Sequence, residues 1–80
     1  MQDQDVITRI NDLSNEEHEL FQRESRGQAS EGDRRRLHDL EVALDQCWDL
    51  LHQRRARRSA GLDPSEAEIR DPETVEGYTA

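Results

Sequence analysis

Two apolar runs with the same heptad stepping, separated by a short glycine-bounded link, constrain this 80-residue chain more than any other feature. The first run is Val6, Ile10, Leu13 and Leu20, with Glu17 in the remaining slot, so the steps are four, three, four and three. The second is Leu37, Leu40, Leu44, Cys47 and Leu51, stepping three, four, three and four. This spacing keeps one stripe of a helix turned toward one neighbour. If the chain reverses near residue 28, antiparallel partners have numbers with a constant sum. Leu20 with Leu37, Glu17 with Leu40, Leu13 with Leu44, Ile10 with Cys47, and Val6 with Leu51 all sum to 57. Five consecutive layers in one register predict an all-α fold, an antiparallel, coiled-coil-like two-helix hairpin over residues 1–62. The same register places Asp3 opposite Arg54 as a terminal ion pair.

Local signals set the ends. Asp3 or Asp5 is suited to cap a first helix over about residues 4–26. Gly27 is its natural stop, with Arg23 and Arg26 in the last turn, where the helix dipole favours cations. Ser30 followed by Asp33 forms a capping box for a second helix over about residues 31–60, ended by Gly61, with Leu62 packing back. Residues 63–80 are an acidic tail. Asp63-Pro64-Ser65-Glu66 is a cap with proline at the first helical position, which predicts a short helical turn through Ala67 and Glu68. Asp71-Pro72 then reads as a break, and Thr74 to Ala80 as extended or disordered, with Val75 and Tyr78 as anchors.

Composition narrows the function classes. Hydrophobic residues are 31% of the chain, with one Phe, one Trp and one Tyr, too few to line a deep apolar pocket. There is no glycine-rich phosphate loop, nucleophile motif or pair of catalytic carboxylates in the sequence. The reading is therefore non-enzymatic, with no catalytic residue, cofactor or metal. The formal charge is −8, and all eleven cations are arginine. Residues 1–28 carry seven acids and three Arg, residues 29–60 six acids and seven Arg, and residues 61–80 six acids and one Arg. An acidic whole argues against a general nucleic-acid binder. One cysteine excludes an internal disulfide, and the short apolar runs predict neither a signal peptide nor membrane insertion, so a cytoplasmic protein is expected.

A lone two-helix hairpin buries little apolar area for its length, so a partner is expected. Ile7 and Phe21 flank the seam on one side of the first helix, and Trp48 flanks it on the same side of the second. A second copy, giving a homodimeric four-helix bundle, or the tail through Leu62, Ile69, Val75 or Tyr78, are the two candidates to cover this strip. A different protein partner is the other way to use it. The basic cluster Arg54, Arg55, Arg57 and Arg58 suits either a solvated helix end or a weak grip on an anionic ligand or nucleic acid. Arg34, Arg35 and Arg36 oppose the dipole at the start of the second helix, and Arg36 is expected near Arg23.

The remaining chemistry-bearing residues have bland readings. His18, His38 and His52 fall at outward heptad positions, although Asp49 and His52 have the acid-x-x-His spacing of bundle metal sites. Cys47 on the seam reads as a buried small hydrophobe, with Asp45 and Asp49 nearby to raise its pKa. Glu17, the one charge on the seam, either fixes register or sits in a loose layer.

The run from Leu40 to Leu51, Leu-Glu-Val-Ala-Leu-Asp-Gln-Cys-Trp-Asp-Leu-Leu, followed by Gln53-Arg54-Arg55-Ala56, resembles a family of short actinobacterial proteins known as domain of unknown function 2630. Glu16-Glu17-His18, Asp63-Pro64 and Val75-Glu76-Gly77-Tyr78 agree with it. The resemblance implies no activity, cofactor or catalytic residue. It implies that the tail belongs to the domain. It also makes Trp48, the Arg54–Arg58 cluster and Tyr78 the first residues to examine as a working surface.

Overall fold

A computed structural model describes residues 2–77. Its element order is α1 (Asp3–Ser25), α2 (Glu31–Ser59), a 3₁₀ turn (Pro64–Glu66) and α3 (Pro72–Glu76). The two long helices form an antiparallel hairpin. Its ends pin the register: Asp3 meets Arg54 at the open end, and Arg23 meets Asp33 at 3.5 Å beside the turn. These pairs sum to 57 and 56, so the helical stretch between them holds the layers expected from the seam.

The buried residues of α1 are Val6, Ile10, Leu13 and Leu20; those of α2 include Leu37, Leu40, Leu44, Cys47 and Leu51. Leu40 is wholly buried, so the layer shared with Glu17 is closed, while Glu17 itself reaches partly into solvent.

Both long helices end as their glycines dictate. Gly27 takes φ +69° and Gly61 φ +73°, the left-handed conformation that a Cβ disfavours. Gln28 N–H then donates to the Arg23 carbonyl at 2.9 Å, and Leu62 N–H to the Arg57 carbonyl at 2.8 Å, closing two Schellman ends. Leu62 does not pack back, however; it remains 53% exposed. At the start of α2, Ser30 Oγ accepts from Asp33 N–H at 3.0 Å and Ser30 N–H donates to the Asp33 carboxylate at 3.1 Å.

The start of α1 differs from expectation. Gln2 is the capping position, and its N–H donates to the Asp5 carboxylate at 2.9 Å. Asp3 lies inside the helix because its carboxylate is taken by Arg54 and Arg58.

The tail also departs from the reading as a break. Asp71 caps α3 by accepting from Thr74 N–H at 2.8 Å, with Pro72 at the first helical position. Pro72 thus starts a helix instead of ending one, because proline lacks only an N–H that the first turn does not use. The earlier turn is shorter than expected: Asp63 caps only the 3₁₀ segment, through Ser65 N–H at 2.9 Å.

The tail returns antiparallel to α2 as a strap. Arg57 donates to the Asp63 carbonyl at 2.7 Å, Arg54 to the Pro64 carbonyl at 3.1 Å, Gln53 to the Glu68 carbonyl at 2.8 Å and Gln46 to the Arg70 carbonyl at 3.0 Å. Arg70 closes on Asp49, with Nε donating to one carboxylate oxygen at 2.8 Å and the other nitrogen to the second oxygen. Val75 is buried, and Ala67 packs against the main core alongside Ala43. Leu50, outside the seam, is 3% exposed within this arrangement. The molecule measures 49 × 26 × 14 Å, so it is about one helix thick and leaves broad faces open.

Candidate functional site

The strap decides which face remains open. At 3.6 residues per turn, Gln46, Leu50, Gln53 and Arg57 lie on one side of the α2 seam, and Trp48 on the other. Among the described residues the tail therefore does not cover the strip formed by Ile7, Phe21 and Trp48, one of the two roles considered for it. Those three side chains are 40%, 45% and 49% exposed. Ile7 and Trp48 lie at nearly the same height along the hairpin. Phe21 stands about 20 Å farther toward the turn, at 1.5 Å of rise per residue. Tyr78, the fourth aromatic or apolar candidate, lies outside the described residues.

The arginine cluster is spent largely on the chain itself. Arg54 is 4% exposed, and its guanidinium binds Asp3 and the Pro64 carbonyl. Arg58 binds Asp3 at 2.7 Å, and Arg57 binds Glu66 at 2.6 Å. Two guanidinium groups around Asp3, Arg58 foremost and Arg54 next, lower its carboxyl from 3.8 to about 2. Arg55 alone of the four is exposed with no ion pair among the described residues.

The start of α2 resolves in a similar way. Arg36 grips Glu16 with two hydrogen bonds, at 2.5 and 3.0 Å, which holds the Glu16 carboxyl below its ordinary value. Arg23 turns to Asp33, so the expected like-charge crowding of Arg23 and Arg36 is relieved by two separate acids. Arg34, Arg35 and His38 line a shallow depression with Glu31 and Asp39, a surface of mixed sign.

Cys47 is buried, and burial pushes its thiol above the ordinary value. The neighbour that matters is Arg9, which acts in the opposite direction; the expected pressure from Asp45 and Asp49 is not the cause. His18, His38 and His52 are exposed. Asp49 is buried against Arg70 and Gln53, which hold its carboxyl low, Arg70 first. No group of three or more His, Cys, Asp or Glu residues is arranged to hold a metal ion among the described residues. No helix among them is long and apolar enough to cross a membrane.

Sequence reasoning singled out the strip and the arginines. It did not anticipate the pairing of buried Asp49 with Arg70 or the burial of Leu50. The signal for Leu50 was its place seven residues beyond Ala43 on a second row of α2.

Fold and surface together define a small all-α protein, a helical hairpin clasped along one flank by its own tail. Residues 2–80 match the family described as proteins of unknown function, DUF2630, and the chain belongs to it. It is 46% identical over 78 residues to uncharacterized proteins of Mycobacterium tuberculosis and Mycobacterium bovis, covering 96% of this chain and 90% of each relative. No solved structure matches it.

Proposed function

We propose that this protein is a non-enzymatic, cytoplasmic protein–protein interaction module, and that its docking face is the flank bearing Ile7, Phe21 and Trp48. The observation that carries this reading is the exposure of three large apolar side chains on the face that tail residues 63–77 leave open. Large apolar side chains exposed along one face of a chain with 38% charged residues mark a surface suited to a partner. Aromatic anchors of this kind dominate binding energy where they are desolvated. The arginines at the end of α2 support the same reading indirectly, since Asp3, Glu66 and two carbonyls supply Arg54, Arg57 and Arg58 with partners inside the chain.

The test is affinity capture from native extract, comparing the wild-type chain with Trp48→Ala plus Phe21→Ala and with Arg55→Gln. The expected result is a specific partner band lost in the double variant and kept in Arg55→Gln. Recovery of the same partners by wild type and double variant would overturn the assignment of this face.

A further inference from the structure

We infer that the partner for this face is a second copy of the chain, packed α1 against α1 in antiparallel fashion about a twofold axis at Ser14. This inference rests on the interaction reading above and names its occupant.

The charges of α1 are segregated. Asp3 belongs to the clasp with Arg54 and Arg58, and Glu17 and Glu24 occupy seam positions. Every other charged residue of the helix, Arg9, Asp12, Glu16, Glu19 and Arg23 among them, lies on the flank away from Ile7 and Phe21. The three heptad rows that begin at Gln4, Ile7 and Thr8 contain no Asp, Glu, Arg or Lys through to Ser25, and His18 is their one titratable side chain. They form a sector roughly 160° wide, running the length of the helix. In a chain that is 38% charged, this sector of α1 is free of carboxylate and guanidinium groups. Depletion of charge around aromatic and aliphatic anchors is the compositional mark of an interface core.

The neutrality also selects the occupant. Each copy carries a formal charge of −8, so any association of two copies must avoid placing carboxylates together. The α1 sector is where that condition is met. The matching flank of α2 is not, because it carries Glu41 and Asp45 beside Trp48. A basic foreign partner would instead gain from the acidic surfaces that this sector excludes.

The row of the sector that borders the seam, Ile7, Ser14, Phe21, is bulky, small, bulky at equal seven-residue intervals. A twofold axis through Ser14 makes such a row complementary to itself. It lays Phe21 of each copy on Ile7 of the other, beside Trp48. The small Ser14 side chains meet at the axis, where the helices come closest. An isologous contact requires a surface of this self-matching kind.

Sedimentation equilibrium at micromolar concentration tests the inference. The wild-type chain is expected at twice its 9.3 kDa mass. Asn11→Glu with Asn15→Glu, which puts carboxylates into the neutral sector at exposed positions, is expected at 9.3 kDa with unchanged far-ultraviolet circular dichroism. Asp12→Asn, on the charged flank, is expected to remain dimeric. A monomeric wild type, or a dimer indifferent to the two glutamates, would overturn the second copy as occupant. A monomer that still captures a partner through Trp48 and Phe21 would do so while leaving the interaction reading standing.

Discussion

Asp3 and Arg54 are hydrogen-bonded at 2.5 Å although 51 positions separate them in the chain. Arg54 is almost completely buried, and its guanidinium spans from this carboxylate to the Pro64 carbonyl of the tail. One side chain therefore joins the start of α1, the end of α2 and the strap. A buried cation keeps its place only while its counter-charge and hydrogen bonds remain.

Replacing Asp3 with Asn should consequently loosen both the open end of the hairpin and the tail. The expected outcome is a lower urea midpoint and faster amide exchange at residues 63–66. Arg54→Leu, which removes the buried charge together with its need for a partner, is expected to be the milder change by the same urea assay.

Acid should act through the same carboxylates. The folded-state pKa of Asp3 is depressed from 3.8 to about 2, and those of Asp49, Glu16 and Asp33 are also lowered, chiefly by Arg70, Arg36 and the Ser30 backbone respectively. Groups with depressed pKa values stabilise the fold above their unfolded pKa, and that stabilisation disappears as pH falls through the folded value. Thermal midpoints are therefore expected to be flat near neutrality and to fall between about pH 4 and pH 2. Asp3→Asn should reduce the pH dependence in that window, as followed by circular dichroism.

Among the described residues the strap is held by one well-buried apolar anchor, Val75, and a series of polar bonds. Val75→Ala is expected to destabilise by about 1–2 kcal/mol, from the lost burial of two methyl groups. Leu62→Ser, at a largely exposed site, should change stability by less than about 0.5 kcal/mol. Denaturant titration separates the two. Hydrogen exchange should place the Val75→Ala effect in residues 63–77 before the hairpin.

In the seam, Leu40→Ala removes the most deeply buried leucine and is expected to cost about 2–5 kcal/mol. Glu17→Leu, in the same layer, is expected to stabilise by about 1 kcal/mol, since apolar surface replaces a half-exposed charge. A loss of stability in Glu17→Leu would show that the glutamate fixes the register.

The hairpin was legible because its determinants are periodic or local. Val6 to Leu51 follow one heptad frame, and Gly27 and Gly61 stand where left-handed turns are needed. The strap was not legible, for a physical reason. Gln46 and Gln53 hold it through the carbonyls of Arg70 and Glu68, and backbone acceptors carry no side-chain signature. Asp71-Pro72 shows a related ambiguity: the same dipeptide ends one helix or caps the next, and only the burial of Val75 decides for the second. The candidate face was visible as Ile7, Phe21 and Trp48. Which flank the tail would leave open depended on Gln46, Asp49 and Gln53, polar residues that a hydrophobic pattern passes over.

The seam, the strap and the open face all depend on the pairing of α1 with α2 within one chain. A methyl nuclear Overhauser experiment on a mixture of isotope-labelled and unlabelled chains reads it directly. Cross-peaks between Leu13 and Leu44, and between Val6 and Leu51, are expected within single chains. If those cross-peaks arose only between different chains, the two helices would be pairing in trans and the hairpin would be contradicted.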